Sequence, residues 1–191
     1  MSPIIRAKGS AGEITLRPLR MRDRSAWEEV RRSNREWLNP WEATRPEVDG
    51  QTPLPSYFSM VRQARSDARL QRSFSLGIWI KEDGKPRFVG QITLGGIVFG
   101  AHRGGYIGYW IDSRVANKGI TSSAVIALTE YGFSELLLHR IEISMRPENA
   151  ASQRVAEKAG YTFEGVRHRF LHIDGDWRDH MVFVKENPEI R

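Results

Sequence analysis

The chain contains no cysteine. That excludes disulfide staples and thiolate chemistry, and is compatible with a reducing cytoplasm. No apolar run is long enough to cross a bilayer. The opening Met1-Ser-Pro-Ile-Ile-Arg lacks both the long apolar centre of a secretory signal and the Met-Gly start of a myristoylation site, so a cytoplasmic protein is expected. Two well-known phosphate signatures are missing, Gly-x-x-x-x-Gly-Lys-[Ser/Thr] and the dinucleotide Gly-x-Gly-x-x-Gly. There is no internal repeat, low-complexity tract or interdomain linker. His102, His139, His168, His172 and His180 show no metal-ligand spacing; hairpin and strand positions explain them better, and no metal is expected.

What is present describes an ordinary folded protein. With 191 residues, 40% hydrophobic and 27% charged, the chain reads as one domain over 1–191, large enough to bury a core. Its formal charge is +6, and arginine outnumbers lysine. Such a balance suits encounter with a polyanion: nucleic acid, a ribosome or a phosphorylated cofactor. It equally suits a solvated arginine-rich surface, since no basic run interleaved with aromatics marks a nucleic-acid groove.

The most organised stretch is Tyr106–Thr121. Tyr-Ile-Gly-Tyr-Trp-Ile is an apolar, aromatic run that predicts a strand, broken at Asp112-Ser113. A polar loop follows with Asn117, Lys118 and Gly119. The next residues, through Phe133, carry helical patterning. Strand, glycine-bearing loop and helix start make an anion-binding geometry, because a helix N-terminus offers unpaired N–H groups and partial positive charge.

In order, the chain predicts a strand at Ile14–Leu19, ending near Pro18. A helix runs from Asp23 as cap to Leu38 and is stopped by Pro40. Trp37 and Trp41 beside that proline read as core filler or as the wall of a substrate groove. Residues 43–55 form a loop, and a second helix spans about Pro55–Leu70. Strands at Phe74–Ile80 and Phe88–Leu94 flank a hairpin turn at Glu82–Lys85. After the Tyr106 strand and its helix come a strand from His139 to Met145 and a helix over about Ala150–Ala159, closed by Gly160. Strands at Tyr161–Val166 and Trp177–Val184 follow, with Asp174-Gly175-Asp176 as a turn between them. This order is α+β, with a mixed central sheet of about seven strands flanked by about four helices. The crossover through the central helix makes the Tyr106 and His139 strands parallel.

The most specific string is Pro147-Glu-Asn-Ala-Ala-Ser-Gln-Arg-Val-Ala-Glu-Lys-Ala-Gly-Tyr-Thr-Phe-Glu-Gly. It resembles the Asn-x-x-Ser…Gly-Phe segment of the GNAT acetyltransferases of RimJ/RimL type, which acetylate N-termini of ribosomal proteins. Asn117-Lys-Gly-Ile-Thr121 is similar to the coenzyme A pyrophosphate loop of that family. Leu171-His-Ile-Asp-Gly-Asp-Trp-Arg-Asp-His resembles the Ile-Asp-Gly-x-Trp-Arg-Asp hairpin of RimJ-like members, and Leu38-Asn-Pro-Trp-Glu their Leu-x-Pro-Trp-Glu. The resemblance runs from Ile14 to Val184 and implies the GNAT fold. Three positions depart from the family pattern. Of the loop signature Gln/Arg-x-x-Gly-x-Gly/Ala only Gly119 remains, Ala156 stands where some members place a tyrosine acid, and Ser144 where some carry a glutamate base.

The resemblance implies direct attack of an amine on the thioester of acetyl-CoA, without a metal. Ser152 would be the general acid for the leaving thiolate and Asn149 would hold the pantetheine arm or a catalytic water. The bland readings are a first-turn serine and a plain N-cap. The backbone of Trp110 and Ile111 would pair with pantetheine as a further strand, while Asn117, Lys118, Gly119, Ile120 and Thr121 would cradle the pyrophosphate. Trp37, Trp41, Glu42, Asp174 and Trp177 would border the acceptor, with Glu42 a candidate remote base. An α-amine, of pKa about 7.7–8.0, is partly neutral at physiological pH, whereas lysine at about 10.4 is nearly all charged. A site with no evident strong base therefore suits a protein N-terminus, and the resemblance implies a ribosomal one, with possible transient contact with the ribosome. A small amine (an aminoglycoside or polyamine) and a non-catalytic ribosome-binding factor are the alternatives. The oligomeric expectation is monomer or homodimer.

Overall fold

The computed structural model describes residues 3–9, 12–47 and 55–190. The segment 48–54 of the expected 43–55 loop, and the first two residues of the N-terminal stretch, lie outside these. Eight strands form one sheet: β1 (Ile5–Gly9), β2 (Gly12–Arg17), β3 (Phe74–Glu82), β4 (Lys85–Val98), β5 (Gly104–Ile111), β6 (Arg140–Met145), β7 (Thr162–Ile173) and β8 (Asp176–Glu186). Their spatial order is β1-β2-β3-β4-β5-β6-β8-β7. Among the described residues only β5 and β6 pair in parallel, as the crossover required. The helices are α1 (Arg24–Ser33), α2 (Arg35–Leu38), α3 (Tyr57–Arg69), α4 (Ile120–Ser134) and α5 (Ala150–Lys158).

The α+β expectation holds, with two differences of detail. β1 is an additional strand, whose half-buried Ile5 and Ala7 pack on the main core while its alternate residues face water. The single helix expected from Asp23 to Leu38 is two, parted at Asn34. Neither proline nor glycine interrupts it there. The break is tertiary: buried Asn34 donates to Asp112 Oδ1 at 3.0 Å and accepts from the Ser113 N–H at 2.8 Å, in a loop 78 residues away in sequence. Asp23 precedes α1 but does not cap it through its side chain. Its carboxylate accepts from Arg17 at 2.7 Å and from the Arg20 N–H at 2.8 Å.

Turn chemistry fixes the hairpins. Asp83 and Gly84 (φ 48° and 77°), and Asp174 and Gly175 (φ 48° and 80°), are consecutive left-handed residues, the backbone of the two-residue turn that matches strand twist. α5 ends in a left-handed Gly160, after which the Tyr161 N–H reaches back to the Ala156 carbonyl at 3.0 Å.

Two apolar clusters lie on opposite faces of the sheet. The larger gathers Leu94, Ile107, Ile141, Ile143, Met145 and Phe183 against Ala124, Leu128 and Ala156 of α4 and α5. The smaller packs Val30, Tyr57 and Val61 of α1 and α3 on Trp79 and Phe88, with Trp110 at its margin. Each fully buried large apolar side chain contributes roughly 1.5–3 kcal/mol, so these clusters rather than surface ion pairs hold the sheet between its helices.

Candidate active site

The parallel pairing of β5 with β6 is short. It runs from Gly104↔Arg140 to Tyr106↔Glu142, although β5 continues to Ile111 and β6 to Met145. Beyond that point the strands part. On its other edge β5 stays paired with β4 as far as Gly90↔Ile111. The segment Ile107–Ile111 therefore presents one edge to a wedge-shaped opening, with backbone groups that no neighbouring strand takes up.

A cleft of about 540 Å³ fills this opening. Tyr109, Trp110 and Ile111 line it, together with Asn117, Gly119, Ile120 and Thr121 from the start of α4, and Asn149 and Ser152 from the start of α5. Trp37 and Trp41 border it as exposed side chains. The Trp37 indole donates to the Ile111 carbonyl at 3.2 Å, and the Arg146 guanidinium sits over the Trp41 ring, 5.5 Å from its centre. Lys118 lies on the outer side of the loop, in a second depression shared with Arg87, Arg114 and Lys158.

The two helix starts facing the cleft differ. Gly119 stands at the N-cap of α4 with φ 77° and offers no side-chain cap. The loop before it includes a second left-handed residue, Asn117 at φ 62°. The loop's foot is a buried ionic knot. Asp112, with no exposed surface, takes the Arg114 guanidinium at 2.7 Å, Arg87 at 3.3 Å and the Asn34 amide. Burial alone would raise this carboxyl's pKa, but the Arg114 side-chain and backbone bonds and the Asn34 bond outweigh it and hold the group below its ordinary range. At α5, by contrast, Asn149 caps its own helix, its Oδ1 accepting from the Ser152 N–H at 3.0 Å.

Ser152 has a partner that sequence reasoning missed. The Tyr109 hydroxyl lies 2.9 Å from Ser152 Oγ. Burial pushes the tyrosine's pKa up to about 12, partly opposed by that hydrogen bond, so the phenol keeps its proton at any working pH. Strand alternation places Tyr109 beside Ile107 and Ile111 on the α5 face, where it reads as one more core aromatic. Nothing local to residue 109 announces a serine 43 residues further on.

The remaining sequence candidates gather at the far side of the cleft without lining it. Glu42 is ion-paired with Arg31, whose guanidinium lies 5.2 Å from the Trp110 ring centre. The corner carrying Glu42 is joined to the β7–β8 hairpin through three backbone contacts. The Asp174 N–H donates to the Glu42 carbonyl at 3.3 Å, Thr44 N–H to the His172 carbonyl at 2.9 Å, and Ala43 bridges Ile173. Asp174 and Trp177 occupy that hairpin, exposed. The one carboxylate on the cleft lining among the described residues is Glu148, held below the ordinary carboxylate range by a backbone hydrogen bond and by Arg146. No described group of histidine, aspartate and glutamate side chains could hold a metal ion.

A strand wedge with an uncapped helix start on its rim is a geometry that known families share, and the sequence matches one of them. Residues 13–162 match the acetyltransferase (GNAT) domain. The chain belongs to the GNAT acetyltransferase family. Like other GNAT enzymes it is an acetyl-CoA-dependent N-acetyltransferase. It is similar to a Bacillus subtilis (strain 168) protein named probable N-acetyltransferase YjcK, with 32% identity over 92% of this chain and 95% of that protein. An Escherichia coli (strain K12) relative, [ribosomal protein uS5]-alanine N-acetyltransferase, is 28% identical across 87% of this chain and 85% of its own length. Among solved structures, Mycobacterium smegmatis RimJ in complex with CoA-disulfide superposes with a TM-score of 0.85 and 34% identity, covering 100% of this chain and 92% of that one.

Proposed function

We propose that this enzyme acetylates the N-terminal α-amine of a protein, most simply a ribosomal one, in the cytoplasm and in transient contact with the ribosome. The observation that carries this reading is the character of the cleft. Two exposed tryptophans border it, yet its one carboxylate among the described residues is held by an arginine, and Ser144 stands where some family members carry a glutamate base. An acceptor that is already partly neutral near pH 7.5 suits such a site; a lysine, at about 10.4, does not. The M. smegmatis and E. coli relatives, by their names, point the same way.

Acetyl-CoA supplies the activated thioester. The residues present suit it in three respects. The uncapped N–H groups around Gly119–Thr121 and the α4 dipole suit a pyrophosphate. The free edge of β5 at Trp110 and Ile111 suits the amides of a pantetheine arm, and Asn149 stands where that arm would pass. The basic depression with Lys118 suits further phosphate. Ser152 then gives a proton to the leaving sulfur, with Tyr109 donating to Ser152 and fixing its orientation. Trp37 and Trp41 wall the acceptor entrance, with Glu42, Asp174 and Trp177 behind them.

The test is mass spectrometry of peptides with free N-termini incubated with the enzyme and labelled acetyl-CoA, with polyamines and aminoglycosides as competitors. Label on the α-amine is the expected result. Label found only on internal lysines or on the small amines overturns the acceptor assignment.

A further inference from the structure

The mechanism so far leaves the acceptor's proton without a destination. The wedge has two faces. On β6 and β8, Ser144 lies opposite Val182 and Met145 opposite Met181. Directly opposed residues point to the same side of a sheet, and the side alternates along each strand. Met145 and Phe183 pack toward α5, in the larger cluster with Tyr109 and Met181. Ser144, Val182 and His180 therefore point to the other face, the one carrying Trp110, Arg31 and the Trp37–Glu42 corner. That is the face from which an acceptor passing the tryptophans arrives.

His180 is 3% exposed. Its Nδ1 lies 2.9 Å from the Arg178 carbonyl. A carbonyl can only accept, so Nδ1 carries the hydrogen and Nε2 of the neutral ring has a lone pair. Nε2 has no hydrogen-bond partner among the described residues, and it is not one of the side-chain atoms closed off from water without a partner. The Phe170 ring covers the imidazole at 5.8 Å. The charges that act on it are Arg146 and Glu148 from the turn after β6 and Asp179 beside it on its own strand. Arg167 is its neighbour on β7. Of these Glu148 lines the cleft; His180 itself does not, so its Nε2 would meet the acceptor through one water.

We propose that His180 Nε2 is the general base that takes the acceptor amine's proton. This rests on the acetyltransferase reading above. The ammonium of the acceptor gives one proton to Nε2, and the freed lone pair forms the N–C bond as the C–S bond breaks. The nitrogen sheds its second proton on amide formation. Of the two, one is balanced on the thiol sulfur through Ser152 and the other passes from His180 to water. Burial, opposed by the Arg178 carbonyl bond and reinforced by Arg146, keeps the ring's pKa below its usual value, so the base is unprotonated throughout the neutral range. The gap to an α-amine is far smaller than the gap to a lysine, which matches the proposed acceptor.

The experiment compares the native enzyme with His180→Asn, whose amide can keep the bond to the Arg178 carbonyl. kcat/KM is read from pH 6.5 to 9 with an alanine-starting peptide and with glycinamide, a small molecule bearing the same kind of α-amine. With an acceptor pKa near 8, about a tenth of the amine is free at pH 7. The native-to-variant ratio should be about tenfold at pH 7 and close to about one by pH 9, with acetyl-CoA affinity unchanged. A ratio that is constant with pH, or a variant as fast as native at pH 7, overturns the proposal. If the variant does not fold, the native profile decides. A shallow slope between pH 7 and 8 supports the base, and a tenfold fall per unit in step with the free amine overturns it. Turnover of glycinamide but no peptide removes the protein-acceptor reading while leaving the pH ratio to judge His180.

Discussion

Two helices begin at the same cleft and solve the same electrostatic problem in opposite ways. α4 starts on a left-handed glycine with no side chain to satisfy its first N–H groups, so it depends on something from outside. α5 starts on Asn149, which satisfies the Ser152 N–H itself. The first start stays open to the cleft; the second is closed and spends its polarity on fixing one serine. They differ in support as well. The α4 loop stands on Asp112, tied to Arg114 of the same loop and to Arg87 and Asn34 from two other parts of the chain, whereas the α5 cap closes within four residues.

Substitutions can break this contrast one side at a time. Gly119→Glu sets a carboxylate and a Cβ where the open N–H groups face the cleft; calorimetry should register at least a hundredfold loss of acetyl-CoA affinity, while native-like affinity in the folded variant would remove the loop from the site. Ser152→Ala leaves the Asn149 cap and the α4 site untouched. It should cut kcat by about a hundredfold, with acetyl-CoA affinity unchanged, as expected for an interaction made mainly in the transition state.

Asp112→Asn attacks the support of the open start, and chemical denaturation should find a loss of about 2 kcal/mol, the scale of a charged hydrogen-bonded group. The sign with pH follows from a folded-state pKa lowered below the ordinary carboxylate value. The stabilisation is fully present above the unfolded pKa, near 4, and disappears as pH falls through the still lower folded value. Native and Asn variant should therefore draw together in stability as pH falls below about 4. Smaller again, Tyr109→Phe should lower kcat about tenfold, less than loss of Ser152 itself. Asn149→Ala should cost about 1 kcal/mol of stability, the usual worth of an N-cap, measured as a fall in melting temperature.

Much of the fold was legible because it rests on local signals: Asp-Gly turns, the glycine closing α5, and the aromatic β5 run leading through a glycine loop into the long apolar helix α4. What escaped was decided at a distance. The Ile5–Gly9 strand carries too little apolar alternation to announce itself, and packs because α4 is there to receive Ile5 and Ala7. The helix breaks at Asn34, whose amide bonds a buried aspartate 78 residues away while still donating to the Val30 carbonyl of its own helix. At the site, the glycine loop and the Asn-x-x-Ser turn were visible as positions, since both are backbone devices written in a few consecutive residues. Tyr109 and His180 were not. Each looks like an ordinary strand residue until the sheet register sets one beside Ser152 and the other on the face of Ser144.

The Trp37 indole bond to the Ile111 carbonyl has a kinetic consequence. That carbonyl ends the strand edge on which the acyl donor would align, so the corner bearing both tryptophans is already joined to that edge. A donor seated along the edge would complete the wall that the peptide meets, and the expected order is acetyl-CoA before the peptide, with coenzyme A leaving last. Product inhibition should accordingly be competitive for coenzyme A against acetyl-CoA and noncompetitive against the peptide, and indole fluorescence should respond to the donor alone.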